Sequence, residues 1–132
     1  MATLMVRLKV RAGREQAFEE MITTLVDNTL THETEVIRYE YWKGQEPLTW
    51  YAFLSFTGKP GFFTHQDADY HRNQPYDANI ESMQMEWLDP VEGASPLPRT
   101  LNTPLPKNTP AHIAEWENRS PIQPAAWWQG RK

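Results

Sequence analysis

The nine residues L-T-W-Y-A-F-L-S-F, 48 to 56, constrain this chain more than any other stretch. Trp50, Ala52, Leu54 and Phe56 fall on one face of an extended strand, Tyr51 and Phe53 on the other. A strand apolar or aromatic on both faces belongs at the centre of a sheet, with a neighbour on each side and cover on both faces. The rest of the chain has to supply them.

The neighbours are legible. From Thr3 to Arg11, Leu4, Val6, Leu8 and Val10 alternate with Met5, Arg7, Lys9 and Arg11, the pattern of a half-buried strand. Gly13 breaks it. Phe18, Met21, Ile22, Leu25, Val26 and Thr29 then recur at helical spacing, so a helix is expected from about Arg14 to Thr31. V-I-R-Y-E-Y-W, 36 to 42, sets Ile37, Tyr39 and Tyr41 against Arg38, Glu40 and Trp42, and G-Q-E-P, 44 to 47, turns it into the central strand. F-F-T-H-Q-D-A-D-Y-H, 62 to 71, reads as a second helix, with a break at Pro75, a helical turn to Ser82, and M-Q-M-E-W-L as the last strand.

Strand, helix, strand, strand, helix, strand predicts an α+β fold of the ferredoxin-like βαββαβ kind, an antiparallel sheet with both helices on one face. The other face carries too many aromatic side chains to stay wet. A second copy, a ligand or the C-terminal segment must cover it, and a homodimer enclosing a cavity is the expectation.

Residues 1–92 hold this unit. From Gly93 to residue 132 the 40 residues contain seven prolines, so regular structure should be sparse. Trp116, Trp127 and Trp128 argue that this arm is nevertheless pinned to a folded surface, on the partner subunit or over the pocket mouth. One short helix fits inside it: Thr109 as N-cap, Pro110 at the first position, then A-H-I-A-E-W-E.

Composition narrows the function. Acidic residues outnumber basic ones 17 to 13 and no basic stripe appears, which argues against a nucleic-acid partner. With no cysteine, thiolate metal sites and cysteine nucleophiles are excluded. No apolar run suits a secretory signal or a bilayer span, so no membrane partner and a cytoplasmic location are expected. Phosphate-cradling glycine loops, G-x-S-x-G, H-E-x-x-H and dinucleotide fingerprints are missing from the sequence.

Several pieces together resemble the antibiotic biosynthesis monooxygenase family over roughly residues 3 to 90. They are V-R-L-K-V-R-A-G-R-E-Q-A-F, then T-H-E followed by I-R-Y-E-Y-W, then H-Q-D-A-D-Y-H, similar to the family's histidine-rich second helix. Thr34 and Glu35 stand where family members usually have proline and glycine, and Leu54, Ser55 and Phe56 where the third strand often ends in Glu-Arg-Trp. The resemblance implies a dimeric α+β barrel with a cofactor-free pocket between the helices and the inner face of the sheet. It implies oxygenation of polycyclic phenols or anthrones, or quinol oxidation, with isomerisation, decarboxylation and haem degradation in divergent branches; fold alone does not choose.

H-Q-D-A-D-Y-H-R-N, 65 to 73, is the chemical candidate. On an uninterrupted helix His65 and His71 lie about 120° apart and cannot share one metal ion. The pairs that share a face are His65 with Asp69 and Asp67 with His71. No metal is therefore expected, since only His32, His112 and scattered carboxylates remain to complete a site. Either histidine could instead be an acid–base group with Tyr70 as hydrogen-bonding partner. The plainer reading is a solvated helix surface. Arg7, Trp50, Tyr51, Phe62 and Trp87 are the candidate substrate contacts: Arg7 for a phenolate or superoxide, the aromatics for a flat conjugated ring. Arg38 and Glu40 fit an edge salt bridge. The function expected is a cofactor-independent oxygenase using molecular oxygen on an aromatic polyketide, phenol or quinol. The alternatives are a lyase, isomerase or cyclase in the same pocket, or a non-catalytic binding dimer.

Overall fold

The computed structural model describes residues 1–122. β1 (Ala2–Val10) leads through Gly13, at φ +83°, into α1 (Glu15–His32). That left-handed turn is a conformation glycine adopts without the Cβ clash other residues meet. β2 (Val36–Lys43) and β3 (Thr49–Phe56) form the hairpin. α2 (Lys59–Asp67), α3 (Asp69–Arg72) and α4 (Tyr76–Asn79) then lead to β4 (Ile80–Leu88). The sheet is antiparallel in the order β2-β3-β1-β4, so the doubly apolar strand is interior and the architecture is the expected α+β, ferredoxin-like one.

Register sorts the side chains. Opposite one another on the helix side lie Leu4 and Leu54, Val6 and Ala52, and Leu8 and Trp50. Against them α1 buries Phe18, Met21, Ile22, Leu25 and Thr29. Each such large apolar side chain contributes about 1.5–3 kcal/mol by leaving water, so Phe18→Ala, at a fully buried position, would cost about 3–5 kcal/mol. The opposite face pairs Met5 with Phe53 and Arg7 with Tyr51. Trp42 stands there at 61% exposed, and Arg7 is bonded to Glu46 at 2.6 Å. Arg38 and Glu40 make the edge pair expected of them, at 4.0 Å on edge strand β2.

Three local expectations are corrected. A register shift between Val36 and Arg38 turns Ile37 outward, away from Tyr39 and Tyr41. The second helix starts earlier, at Lys59, because Pro60 sits in its first turn where no N–H is needed. It also stops at Ala68, whose ψ of 135° is extended, before α3 begins. In the arm, Thr109 does not cap: its hydroxyl donates to the Pro106 carbonyl, Pro110 takes the N-cap position, and the helix splits at Glu115 into α5 (Ala111–Ala114) and α6 (Trp116–Arg119).

The arm packs on its own chain. Ile113 on α5 and Trp116 on α6 are buried where these helices meet α2, Ile122 is buried in the core, and Thr100 accepts the Thr3 N–H while the Leu101 N–H reaches the Met1 carbonyl at the start of β1. Trp127 and Trp128 lie outside the described residues. Among the described residues no helix is long and apolar enough to cross a membrane.

Candidate active site

Glu33 is the first residue beyond α1, where the chain turns extended and its N–H closes on the Thr29 carbonyl. That turn sends the carboxylate inward against α2. His65, fully buried, donates from Nδ1 to Glu33 Oε1 at 2.9 Å. The Tyr70 hydroxyl donates to the same oxygen at 2.5 Å. Burial first, then this bond to Glu33, pushes the Tyr70 hydroxyl well above the usual phenol range, so it stays a donor.

The break at Ala68 places His71 beside His65, with ring centroids 4.4 Å apart. This corrects the division of the two imidazoles between separate helix faces, which assumed an unbroken helix. The His–Asp pairs that went with it are absent as well. Asp67 bonds His112 Nδ1 at 2.8 Å and Trp116 Nε1 at 3.0 Å, and Asp69 pairs with Arg72 at 2.6 Å. Tyr39 and Phe56 pack around His65, 4.8 and 5.4 Å away between centroids, and its Nε2 has no hydrogen-bond partner among the described residues.

His71 lines a cavity of about 390 Å³ between the helices and the inner sheet face. Burial first, then the neighbouring His65 imidazole, holds His71 down to about 3, partly offset by a backbone hydrogen bond at Gln66. At neutral pH it is therefore an uncharged ring able to accept a proton. The sheet supplies Leu4, Val6, Leu8, Ala52 and Leu54 to the walls, and α1 supplies Phe18, Met21 and Ile22. Tyr39 and Tyr41 add two hydroxyls 3.2 Å apart, both made less acidic chiefly by burial. One of the pair donates to the other, which leaves one O–H proton unspent. Met83, Met85, Asp77 and Glu81 form the open side near β4.

The sequence-derived contacts divide. His71 and Phe62 line the cavity; His65 and Tyr70 stand behind it on Glu33. Trp87 packs edge-on against Phe62 at 5.0 Å without lining it. Trp50 is buried beneath α1, against Phe18, with its N–H on Glu19. Arg7 and Tyr51 are on the opposite face, where side-chain alternation puts them. Glu33 was missed: it follows a histidine whose placement the helix end explains, and the inward turn after His32 is not visible in spacing. Tyr39, Tyr41, Gln66 and Tyr76 also line the cavity. Among the described residues no three His, Asp or Glu side chains converge as a metal site.

Solved structures share this architecture. Protein SO0527 from Shewanella oneidensis is 21% identical with a TM-score of 0.61, over 66% of this chain and 87% of its own. PA3566 from Pseudomonas aeruginosa is 15% identical at 0.62, over 68% and 93%. Rv0793 from Mycobacterium tuberculosis is 14% identical at 0.62, over 71% and 98%. At such identities the likeness establishes the fold alone. No protein of curated function matches the chain significantly. Residues 1–73, carrying β1 to β3, Glu33, His65 and His71, match the family described as antibiotic biosynthesis monooxygenase, and the chain belongs to that family.

Proposed function

We propose that the chain is a cofactor-independent oxygenase of an aromatic polyketide, phenol or quinol, working as a cytoplasmic homodimer. The observation that carries this reading is a neutral imidazole, His71, lining an apolar cavity that a spare tyrosine hydroxyl also lines. The substrate hydroxyl gives its proton to His71, the Tyr39–Tyr41 pair donates to a substrate carbonyl, and the aliphatic walls keep water from the intermediates. The substrate anion passes an electron to molecular oxygen, the two radicals recombine at carbon, and loss of water leaves the new carbonyl. For an anthrone, a CH₂ and O₂ become a C=O and H₂O.

Magnitudes favour an acidic hydroxyl. Moving a proton from an ordinary phenol near 10 to an imidazole near 3 costs about 10 kcal/mol. Attraction between the resulting charges about 4 Å apart returns about 4 kcal/mol at an effective dielectric of about 20. A hydroxyl acidified by conjugation with a carbonyl, as in an enolised polyketide, narrows the difference. The dimer reading is supported by the outer sheet face, where Met5, Tyr51, Phe53 and Trp42 remain partly or largely exposed.

The test is oxygen uptake by metal-free protein with 1,8-dihydroxyanthrone, together with sedimentation. Uptake matched to quinone formation, cut at least tenfold by His71→Ala, is the expected result. Turnover that continues at the same rate without oxygen overturns it in favour of a lyase, isomerase or cyclase, which the same neutral base and spare donor would serve. Tight binding with no product under any condition favours a binding dimer.

A further inference from the structure

The arm grips α2 at both ends. At the start of the helix, the buried Lys59 ammonium bridges Asn102 Oδ1 at 2.9 Å and Glu117 Oε1 at 2.8 Å. At the last residue, the Asp67 carboxylate is held by Trp116 Nε1 and His112 Nδ1. Trp116 is itself fixed, 7% exposed with the Arg119 guanidinium 4.0 Å over its ring. In between, Gln66, which lines the cavity, donates to Ser120 Oγ at 3.5 Å.

Asp67 directly precedes the turn at Ala68, and the Asp67 carbonyl accepts from Arg72 Nε at 2.8 Å, while the N–H groups of His71 and Arg72 close on the Ala68 carbonyl. One residue is thus anchored on both sides: its carboxylate by the arm, its carbonyl by α3. We infer that the C-terminal arm is a splint for the histidine pair, in which Trp116, assisted by His112, holds Asp67 and so fixes the corner that folds His71 back against His65. Trp116 is the stronger of the two grips, being buried, whereas His112 is exposed to water that competes for the same carboxylate. Trp116 donation, followed by His112, also holds the Asp67 carboxyl below the usual carboxylate range against the opposing effect of burial. Trp116, His112 and Asp67 are positioning residues. Their bearing on catalysis rests on the assignment of His71 as the base; their bearing on its geometry does not.

Removing the whole arm would strip Ile113, Trp116 and Ile122 from the core, so point variants of the full chain make the sharper test. Imidazole titrations by ¹H–¹⁵N NMR would compare wild type with Asp67→Ala, Trp116→Phe and Lys59→Met. Trp116→Phe keeps an aromatic ring in the core and removes the N–H together with part of the indole's volume. Both corner variants are expected to raise the His71 midpoint by at least about one pH unit, as the loosened corner admits water. Loss of a carboxylate would by itself lower a neighbouring imidazole, so an upward shift in Asp67→Ala reports wetting and not charge. Lys59→Met releases the arm's other end and should lower Tm while leaving His71 within about half a unit. Unmoved His71 in folded Asp67→Ala, or an equal shift in Lys59→Met, overturns the splint. With anthrone, the corner variants should lose kcat at least tenfold with KM within twofold. A wild type that turns over no anthrone removes the proposed function, and the titrations still decide the splint.

Discussion

The depressed His71 makes stability depend on pH in a way that can be worked out in advance. In the unfolded chain its imidazole titrates near 6.5, and in the folded protein near 3. Between these values the unfolded state binds a proton that the folded state refuses. The contribution is therefore fully present above the unfolded value, falls away as pH drops from 6.5 towards 3, and levels off below 3. Integrating the difference, the loss relative to pH 7 is about 1 kcal/mol at pH 5.5 and about 3 kcal/mol at pH 4. His71→Gln retains a polar side chain that does not titrate. Urea unfolding of both proteins at pH 7, 5.5 and 4, at one protomer concentration, gives the difference directly, other groups largely cancelling. Wild type should lose about 3 kcal/mol more than the variant by pH 4. Curves parallel to within about 0.5 kcal/mol would refute the claim that burial beside His65 keeps this ring neutral. The same shift keeps the proposed base unprotonated through pH 5, so kcat/KM should show no acid limb in the ordinary histidine range.

Glu33→Leu strands the buried His65 N–H and the Tyr70 hydroxyl together and should cost about 3–5 kcal/mol in urea unfolding, whereas Tyr70→Phe removes one donor and should cost about 1 kcal/mol; equal losses would mean that Glu33 does not join the two. Ala52→Phe adds a ring at a buried position in the cavity wall. Anthrone affinity should fall at least tenfold by fluorescence titration with the circular dichroism retained, and unchanged affinity would place the ligand elsewhere. Arg7→Ser acts on the opposite face, where Arg7 meets Glu46, so anthrone affinity should stay within about twofold. A large loss would move the substrate to that face and restore Arg7 as a direct contact.

Much of the fold was legible because strand alternation and helix periodicity are local and the faces they create must match. The central strand could be nothing else once both its faces were seen to be apolar, and β1 and α1 followed from uninterrupted patterns. The failures fall where one residue changes phase. A register shift beside Val36 reverses Ile37, and an extended Ala68 cuts the second helix. Neither residue is glycine or proline, so neither announces a break. Face assignment carries the same lesson: Tyr51 and Arg7 are aromatic and charged as a binding site would be, but their position in the alternation turns them away from the helices.

The site shows how one such phase change propagates. Spacing on an ideal helix gave each histidine an aspartate and kept the rings apart; with the break they meet, and both aspartates are released to other partners. What Asp67 takes instead lies 45 residues on at His112 and 49 on at Trp116, in a segment whose proline content made it look like a mere extension. Helical periodicity cannot see contacts at that separation. Yet Ala68 is itself a good helix former, so a solvated carboxylate at Asp67 would leave the corner free to straighten into a continuous helix. The tryptophan in the proline-rich arm and the two-histidine stretch, which look unrelated along the chain, therefore form two sides of one contact, and a substitution in either should be read out at His71.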